Sequence, residues 1–224
     1  MSKVICVANT AGGVGKTTTA HALAASFVDY GKSVLLIDLD PKGDLTFRVG
    51  RDGDRSLIAD YLAGMPISLD AFEKTAERFT FIATDSRINN ITLPETLSEF
   101  LVKLSNNYDV IVLDLPSTIS PSLALALKAT DLILIPTRDT LHSIRGAYEV
   151  SALCQGKKVY ALAIGDFKTK AFDLEIIDCS ILLGDEVELS EEGSSSVVTA
   201  YKDSKVAETY RDAAYSILEI LGLD

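Results

Sequence analysis

The chain holds only three cysteines, Cys6, Cys154 and Cys179, each isolated in sequence. Without a C-x-x-C pair, iron–sulfur carriage and a disulfide-stapled secreted scaffold are both disfavoured, and the thiols read as small core or surface residues. Histidine is scarcer still, and His21 and His142 are too few and too far apart for a zinc site. No apolar run approaches the roughly 18 residues of a membrane span, and no secretory leader opens the chain, so a cytoplasmic protein is expected. Basic residues are in deficit, 21 Lys and Arg against 32 Asp and Glu, for a net charge of −11. That balance repels polyanions unless the bases gather on one face. Linkers, repeats and low-complexity stretches are absent too. With 224 residues at 47% hydrophobic content, residues 1–224 read as a single domain with one full core.

What the chain does have is concentrated near its start. Val4-Ile5-Cys6-Val7-Ala8 is a continuous apolar run, the pattern of a strand buried on both faces. It leads into Gly12-Gly13-Val14-Gly15-Lys16-Thr17-Thr18, and Gly15 to Tyr30 carries a helical pattern with Leu23 and Phe27 on the inner side. Strand, glycine-rich turn and helix start in that order make a phosphate-binding loop. Its glycines let backbone N–H groups close around phosphate oxygens, and the helix N-terminus adds positive potential. Lys16 supplies a mobile charge for the β- and γ-phosphates, and the Thr17 hydroxyl is placed to reach Mg²⁺.

Two acidic strand ends follow. Ser33 to Asp38 runs on into Leu39-Asp40-Pro41-Lys42-Gly43-Asp44, and carboxylates at i and i+2 of a strand end point the same way. Beside a phosphate site, Asp38 and Asp40 suit a metal's water shell and an attacking water, whereas alone they read as a strand-terminating turn. Val110-Ile111-Val112-Leu113-Asp114 is four apolar residues closed by an acid, the Walker B arrangement, with Asp114 facing Mg²⁺ through water.

Helical patterns are expected over Ser56–Leu62, Ser68–Arg78, Leu97–Ser105, Ser122–Ala129 and Ser204–Leu221. Further strands are expected at Phe79–Ala83, Asp131–Thr137 and Lys158–Ile164, with a late strand at Val187–Leu189. Strands separated by helices argue for an α/β fold, a doubly wound, mostly parallel sheet with helices on both faces.

Taken together, these blocks resemble the deviant Walker A ATPases of the ParA/MinD family, which are P-loop NTPases. The loop is similar to KGGxGK followed by Ser or Thr, and Val34–Asp44 to VLLIDLDPQGN. Tyr108–Ser117 is similar to YDxIIIDxPPS, Asp131–Thr137 to the start of DxxIIPxxP, and Ser195–Arg211 to the family's tail. The resemblance implies ATP and Mg²⁺ as cofactors, with Lys16 and Asp40 catalytic and Asp40 acting on the water. It places Thr17, Asp38 and Asp114 around the metal, and Pro136 and Asp166 with Gly12 to Thr18 around the nucleotide. It further implies a homodimer formed around ATP, non-specific nucleoid DNA as carrier, and a cargo adaptor of ParB or McdB type that stimulates hydrolysis. Candidate DNA contacts are Lys168, Lys170, Lys202, Lys205 and Arg211.

Beyond Lys42, Asp44, Ser117 and Asp139, which stand where the family has glutamine, asparagine and two prolines, two departures from the family pattern bear on the chemistry. The family's leading lysine reaches a dimer partner's phosphates, and Ala11 stands there instead, as in a subset that spaces carboxysomes. A plasmid or chromosome and a protein compartment therefore both remain open as cargo. A substitute cation is sought among Arg138, Arg145, Lys42 and Lys157. Gly165-Asp166 replaces the Asn-Arg whose asparagine reads adenine, and a carboxylate there only accepts hydrogen bonds. Two alternatives share the fold. Membrane docking of MinD type is disfavoured because Tyr215–Asp224 carries no Lys or Arg. A metabolic ATP-dependent enzyme leaves no mark in the sequence to select it.

Overall fold

The computed structural model describes residues 1–66, 72, 74–91, 95–154, 156–169 and 172–224. Among these residues seven strands form one sheet: β1 (Lys3–Val7), β2 (Val34–Asp38), β3 (Thr80–Ile82), β4 (Val110–Asp114), β5 (Leu132–Thr137), β6 (Lys158–Ile164) and β7 (Ile176–Ile181). Their order is β3-β2-β4-β1-β5-β6-β7 and every pairing is parallel. Parallel neighbours demand crossovers, and the helices that make them cover both faces.

The side-chain period of two divides each strand between these faces. From β1, Ile5 and Val7 join Leu36, Val112 and Leu134 beneath α1 (Lys16–Asp29) and α9 (Lys205–Leu221). Val4 and Cys6 point the other way, with Leu35, Ile111 and Ile133. That second face is covered by α3 (Ile58–Leu62), α4 (Glu95–Leu104), α5 (Pro121–Ala129) and α6 (Leu141–Ala152). Each large apolar side chain so buried stabilises the fold by about 1.5–3 kcal/mol before entropy is counted. Three short helices, α2 (Asp44–Arg48), α7 (Glu186–Glu191) and α8 (Val197–Ala200), complete the α-helices among the described residues, and Ser86–Asn90 forms a 3-10 helix. His21 is a satisfied core histidine, its Nε2 lying 2.5 Å from Glu77 Oε2.

Two sequence expectations are corrected. Of the helix expected over Ser68–Arg78, residues 68–71 and 73 lie outside the described residues, and Lys74–Arg78 is not helical. Lys74 instead forms an antiparallel bridge to Thr80, and the Thr75 N–H donates to the Phe79 carbonyl at 2.8 Å, a tight reversal with Arg78 at φ 70°. Val187–Leu189 belongs to helix α7, while the late strand is β7. As an edge strand paired only with β6, β7 leaves Ile176, Asp178 and Ser180 half-exposed or exposed, which dilutes its apolar pattern.

Candidate nucleotide site

The loop between β1 and α1 is held at its root by Asn9. Its buried amide donates to the Pro136 carbonyl at 2.9 Å and the Ser143 carbonyl at 3.2 Å, while its Oδ1 accepts the Ala11 N–H at 2.8 Å. Helix α6 comes close enough that a Cβ at Gly146 would lie 2.7 Å from the Ala11 nitrogen. Gly13 and Gly15 take φ of 69° and 93°, left-handed values that cost other residues about 1 kcal/mol or more. Among the described residues no side chain caps α1, so its first amides remain available to an anion.

These amides open on a cavity of about 690 Å³. Gly12, Gly13, Gly15, Lys16, Thr17, Thr18 and Asp40 line it, as do Ser117, Arg48 and the stretch from Ile181 to Asp185. Lys16 is 6% exposed, and its Nζ donates to the Ala11 carbonyl at 2.9 Å and to Ser117 Oγ at 2.7 Å. Burial lowers the pKa of its ammonium, with Asp114 and Asp40 acting in the opposite sense. Val14, by contrast, is buried under the loop rather than facing the cavity.

Sheet register sets the acids side by side, because Asp38 on β2 pairs with Asp114 on β4. Asp38 accepts the Asp40 N–H at 2.9 Å and both the N–H and hydroxyl of Thr46, at 2.9 and 2.8 Å. Burial nevertheless raises its pKa to about 7, against these hydrogen bonds. Asp114 is fully buried, and neither carboxylate oxygen has a hydrogen-bond partner among the described residues. Burial lifts its pKa well above the carboxylate value and the charge of Asp38 adds to the rise, opposed by the Thr17 hydroxyl and the Lys16 ammonium. Two orphaned oxygens beside a threonine hydroxyl fit a hydrated Mg²⁺, which needs few protein ligands when waters and phosphates supply the rest. Asp40, 9% exposed, sits at the cavity wall with Oδ1 fixed by the Lys42 N–H at 3.1 Å.

Asp114→Asn tests the buried charge. A carboxyl whose folded pKa is raised binds its proton more tightly folded than unfolded, so stability falls as pH rises above the unfolded value near 3.8. The asparagine variant escapes that loss. It is expected to melt above wild type at pH 8, by about 1–3 kcal/mol in stability, with the difference shrinking toward pH 5. Thermal melts without nucleotide check this, and an equal loss at both pH values would contradict it.

Other expected site residues fall elsewhere. Pro136 is buried within β5 and does not line the cavity; its carbonyl serves Asn9. Asp166 turns outward with its side chain 85% exposed and pairs with Lys168 at 3.2 Å. The cavity's far wall is instead Leu182–Asp185 and the start of α7. Arg138 and Lys42 line the cavity, whereas Arg145 pairs with Glu149 at 2.9 Å on α6. Lys157 is no substitute cation, because it donates to the Lys128 and Thr130 carbonyls near the opposite, N-terminal end of β5. Lys202 and Lys205 are exposed, the latter 3.9 Å from Glu208. Arg211 is tied to the Lys202 carbonyl at 2.7 Å, the Val198 carbonyl at 3.2 Å and Asp29 at 3.4 Å. Lys170 lies outside the described residues.

Uncapped amides at a helix start, a buried lysine, a threonine and Asp40 around one cavity, backed by two buried strand-end acids, define a P-loop nucleotide-binding protein. A family described as an AAA domain matches residues 2–160. The chromosome-partitioning ATPase Soj of Thermus thermophilus is 34% identical over 147 residues, 63% of this chain and 57% of that protein. The sporulation initiation inhibitor protein Soj of Bacillus subtilis is 31% identical over 157 residues, 65% of this chain and 62% of that protein. The chain thus aligns with about 57–62% of the length of these curated relatives. Among solved structures, the septum site-determining protein MinD of Pyrococcus horikoshii, complexed with Mg-ADP, superposes at TM-score 0.87 with 20% identity, over 100% of this chain and 98% of that one. Apo McdA of Cyanothece superposes at 0.83 with 20% identity, over 97% and 100%. The chain belongs to the ParA/MinD family of deviant Walker A ATPases.

Proposed function

We propose that the chain is a ParA-like positioning ATPase. It binds ATP with Mg²⁺, pairs with a second copy around the nucleotide, and is reset when a cargo-bound adaptor stimulates hydrolysis. The observation that carries this reading is that Lys16 and Asp40 line one cavity while the buried Asp38–Asp114 pair lies directly behind it, Asp38 accepting the Asp40 N–H and Asp114 lying beside Thr17 and Lys16, so that three separate sequence blocks meet at one place. The name of the Thermus thermophilus relative, a chromosome-partitioning ATPase, supports partition as the general task, and Ala11 in place of the family's lysine keeps a protein compartment in view as cargo.

In this reading Lys16 exchanges the Ala11 carbonyl and Ser117 hydroxyl for phosphate oxygens. Asp40, anchored through Lys42, accepts a proton from the attacking water as general base. Thr17, Asp38 and Asp114 hold Mg²⁺ and its waters, and the ion, when bound, neutralises charge on the transferring phosphate. Ala11 is fully buried and presents no group to a dimer partner; of the four candidate substitutes, Arg138 and Lys42 border the cavity, where a cation can meet transition-state charge.

The C-terminal helix is not free for a membrane. Val206, Tyr210, Ile217, Leu218 and Leu221 of α9 are buried in the core, and among the described residues no helix is long and apolar enough to span a bilayer. For DNA the acid excess leaves little to work with. Arg211 is committed to the fold, so among the described candidates the contact rests on the exposed Lys168, Lys202 and Lys205. A mobility shift with ATP is expected at low salt, lost on roughly fourfold more salt, and absent in the Lys202→Glu, Lys205→Glu double variant. No shift at low salt would remove DNA as the carrier.

A further inference from the structure

One carboxylate in the cavity sits where an anion belongs. Thr18, the third residue of α1, donates its hydroxyl to Glu191 Oε1 at 3.1 Å. Arg48, the last residue of α2, meets the same oxygen with Nη1 at 2.6 Å and lies 3.1 Å from the Thr18 hydroxyl oxygen. All three residues line the cavity beside the phosphate loop. Neither charge is deeply buried, with the side chains 25% and 34% exposed, so the pair can part without stranding an ion in the core.

We infer that Arg48 is a phosphate-binding residue of the nucleotide site, held in reserve by Glu191, whose carboxylate imitates a phosphate until nucleotide displaces it. The inference rests on the nucleotide reading of the cavity. A guanidinium fork fits phosphate as well as it fits carboxylate, and the phosphate carries more charge. Polyphosphate seated on the α1 amides repels Glu191 and attracts Arg48, so the ion pair exchanges partners. The exchange supplies a cation from the same chain at a site where position 11 supplies none. It also releases the end of α7, the helix whose start borders the far wall of the cavity.

Isothermal titration of wild type, Arg48→Gln, Arg48→Lys and Glu191→Gln with ADP and with ATP and Mg²⁺ tests this, alongside melts without nucleotide. Arg48→Gln is expected to bind about tenfold more weakly, and Glu191→Gln about three- to tenfold more tightly, for both nucleotides. Arg48→Lys should fall between wild type and Arg48→Gln. Both Arg48→Gln and Glu191→Gln should lower the melting temperature of the nucleotide-free chain. A tie that serves only to hold α7 would move both affinities the same way, so shifts of one sign, or none, overturn the inference. If Arg48→Gln does not fold, the sign for Glu191→Gln decides. Normal wild-type binding with unaltered variants refutes only the role of Arg48, whereas a wild type that binds neither nucleotide refutes the site itself.

Discussion

Lys16→Ala is expected to abolish nucleotide binding, with ATP and ADP affinity falling at least about 100-fold. The ammonium is the buried cation beside the loop amides, and nothing in an alanine can meet phosphate charge in the ground state. The fold should survive, because the substitution removes a group whose burial already lowers its pKa. It leaves the Ala11 carbonyl and Ser117 hydroxyl without that donor, and both border an open cavity where water can replace it. Fluorescent-nucleotide titration with a thermal melt separates the two effects. Retained affinity in a folded Lys16→Ala would remove the phosphate role.

The second large effect lies at Asp40. Asp40→Ala is expected to cut ATP turnover by about 10²–10⁴-fold while changing nucleotide affinity by less than about threefold. The separation follows from placement. Asp38 and Asp114 meet across adjacent strands, whereas Asp40 lies beyond the strand end on the cavity wall. Its removal therefore spares the metal's partners and costs only the step that activates water. Phosphate release measured beside equilibrium dialysis gives both numbers. An affinity loss matching that of Lys16→Ala would show that Asp40 belongs to ground-state binding instead.

How much of this was legible in the sequence depended on how many constraints each residue carried. The central strands were readable because β2 and β4 are buried along their whole length, so nearly every position had to be apolar. Asp38 and Asp114 stood out because an acid closing such a run demands a reason. The glycine loop was readable because left-handed turns and open amides leave few alternatives to glycine. Edge strand β7 was hidden because half its side chains face solvent, which leaves only Ile177, Cys179 and Ile181 to mark its inner face. The cavity's far wall was hidden with it, since Leu182–Asp185 follow that strand and belong to no motif. Asp166 and Pro136 were placed by analogy with positions in the family, and the chain puts one in solvent and the other inside the sheet. Arg48 and Glu191 lie 143 positions apart, and only the fold brings them together at the loop. Arg211 illustrates the same limit in reverse, because a basic residue counted among the candidate DNA contacts turns out to hold carbonyls of its own chain.

The most direct test is the mass of the chain in solution by size-exclusion chromatography with light scattering, for wild type and Asp40→Ala, with ADP or with ATP and Mg²⁺. A positioning ATPase built on this site is expected to run near the chain mass of 24.1 kDa with ADP and near twice that mass with ATP, most persistently in Asp40→Ala, where hydrolysis stalls. A single 24.1 kDa species under every condition, in a protein shown by titration to bind ATP, would contradict the nucleotide-switched dimer.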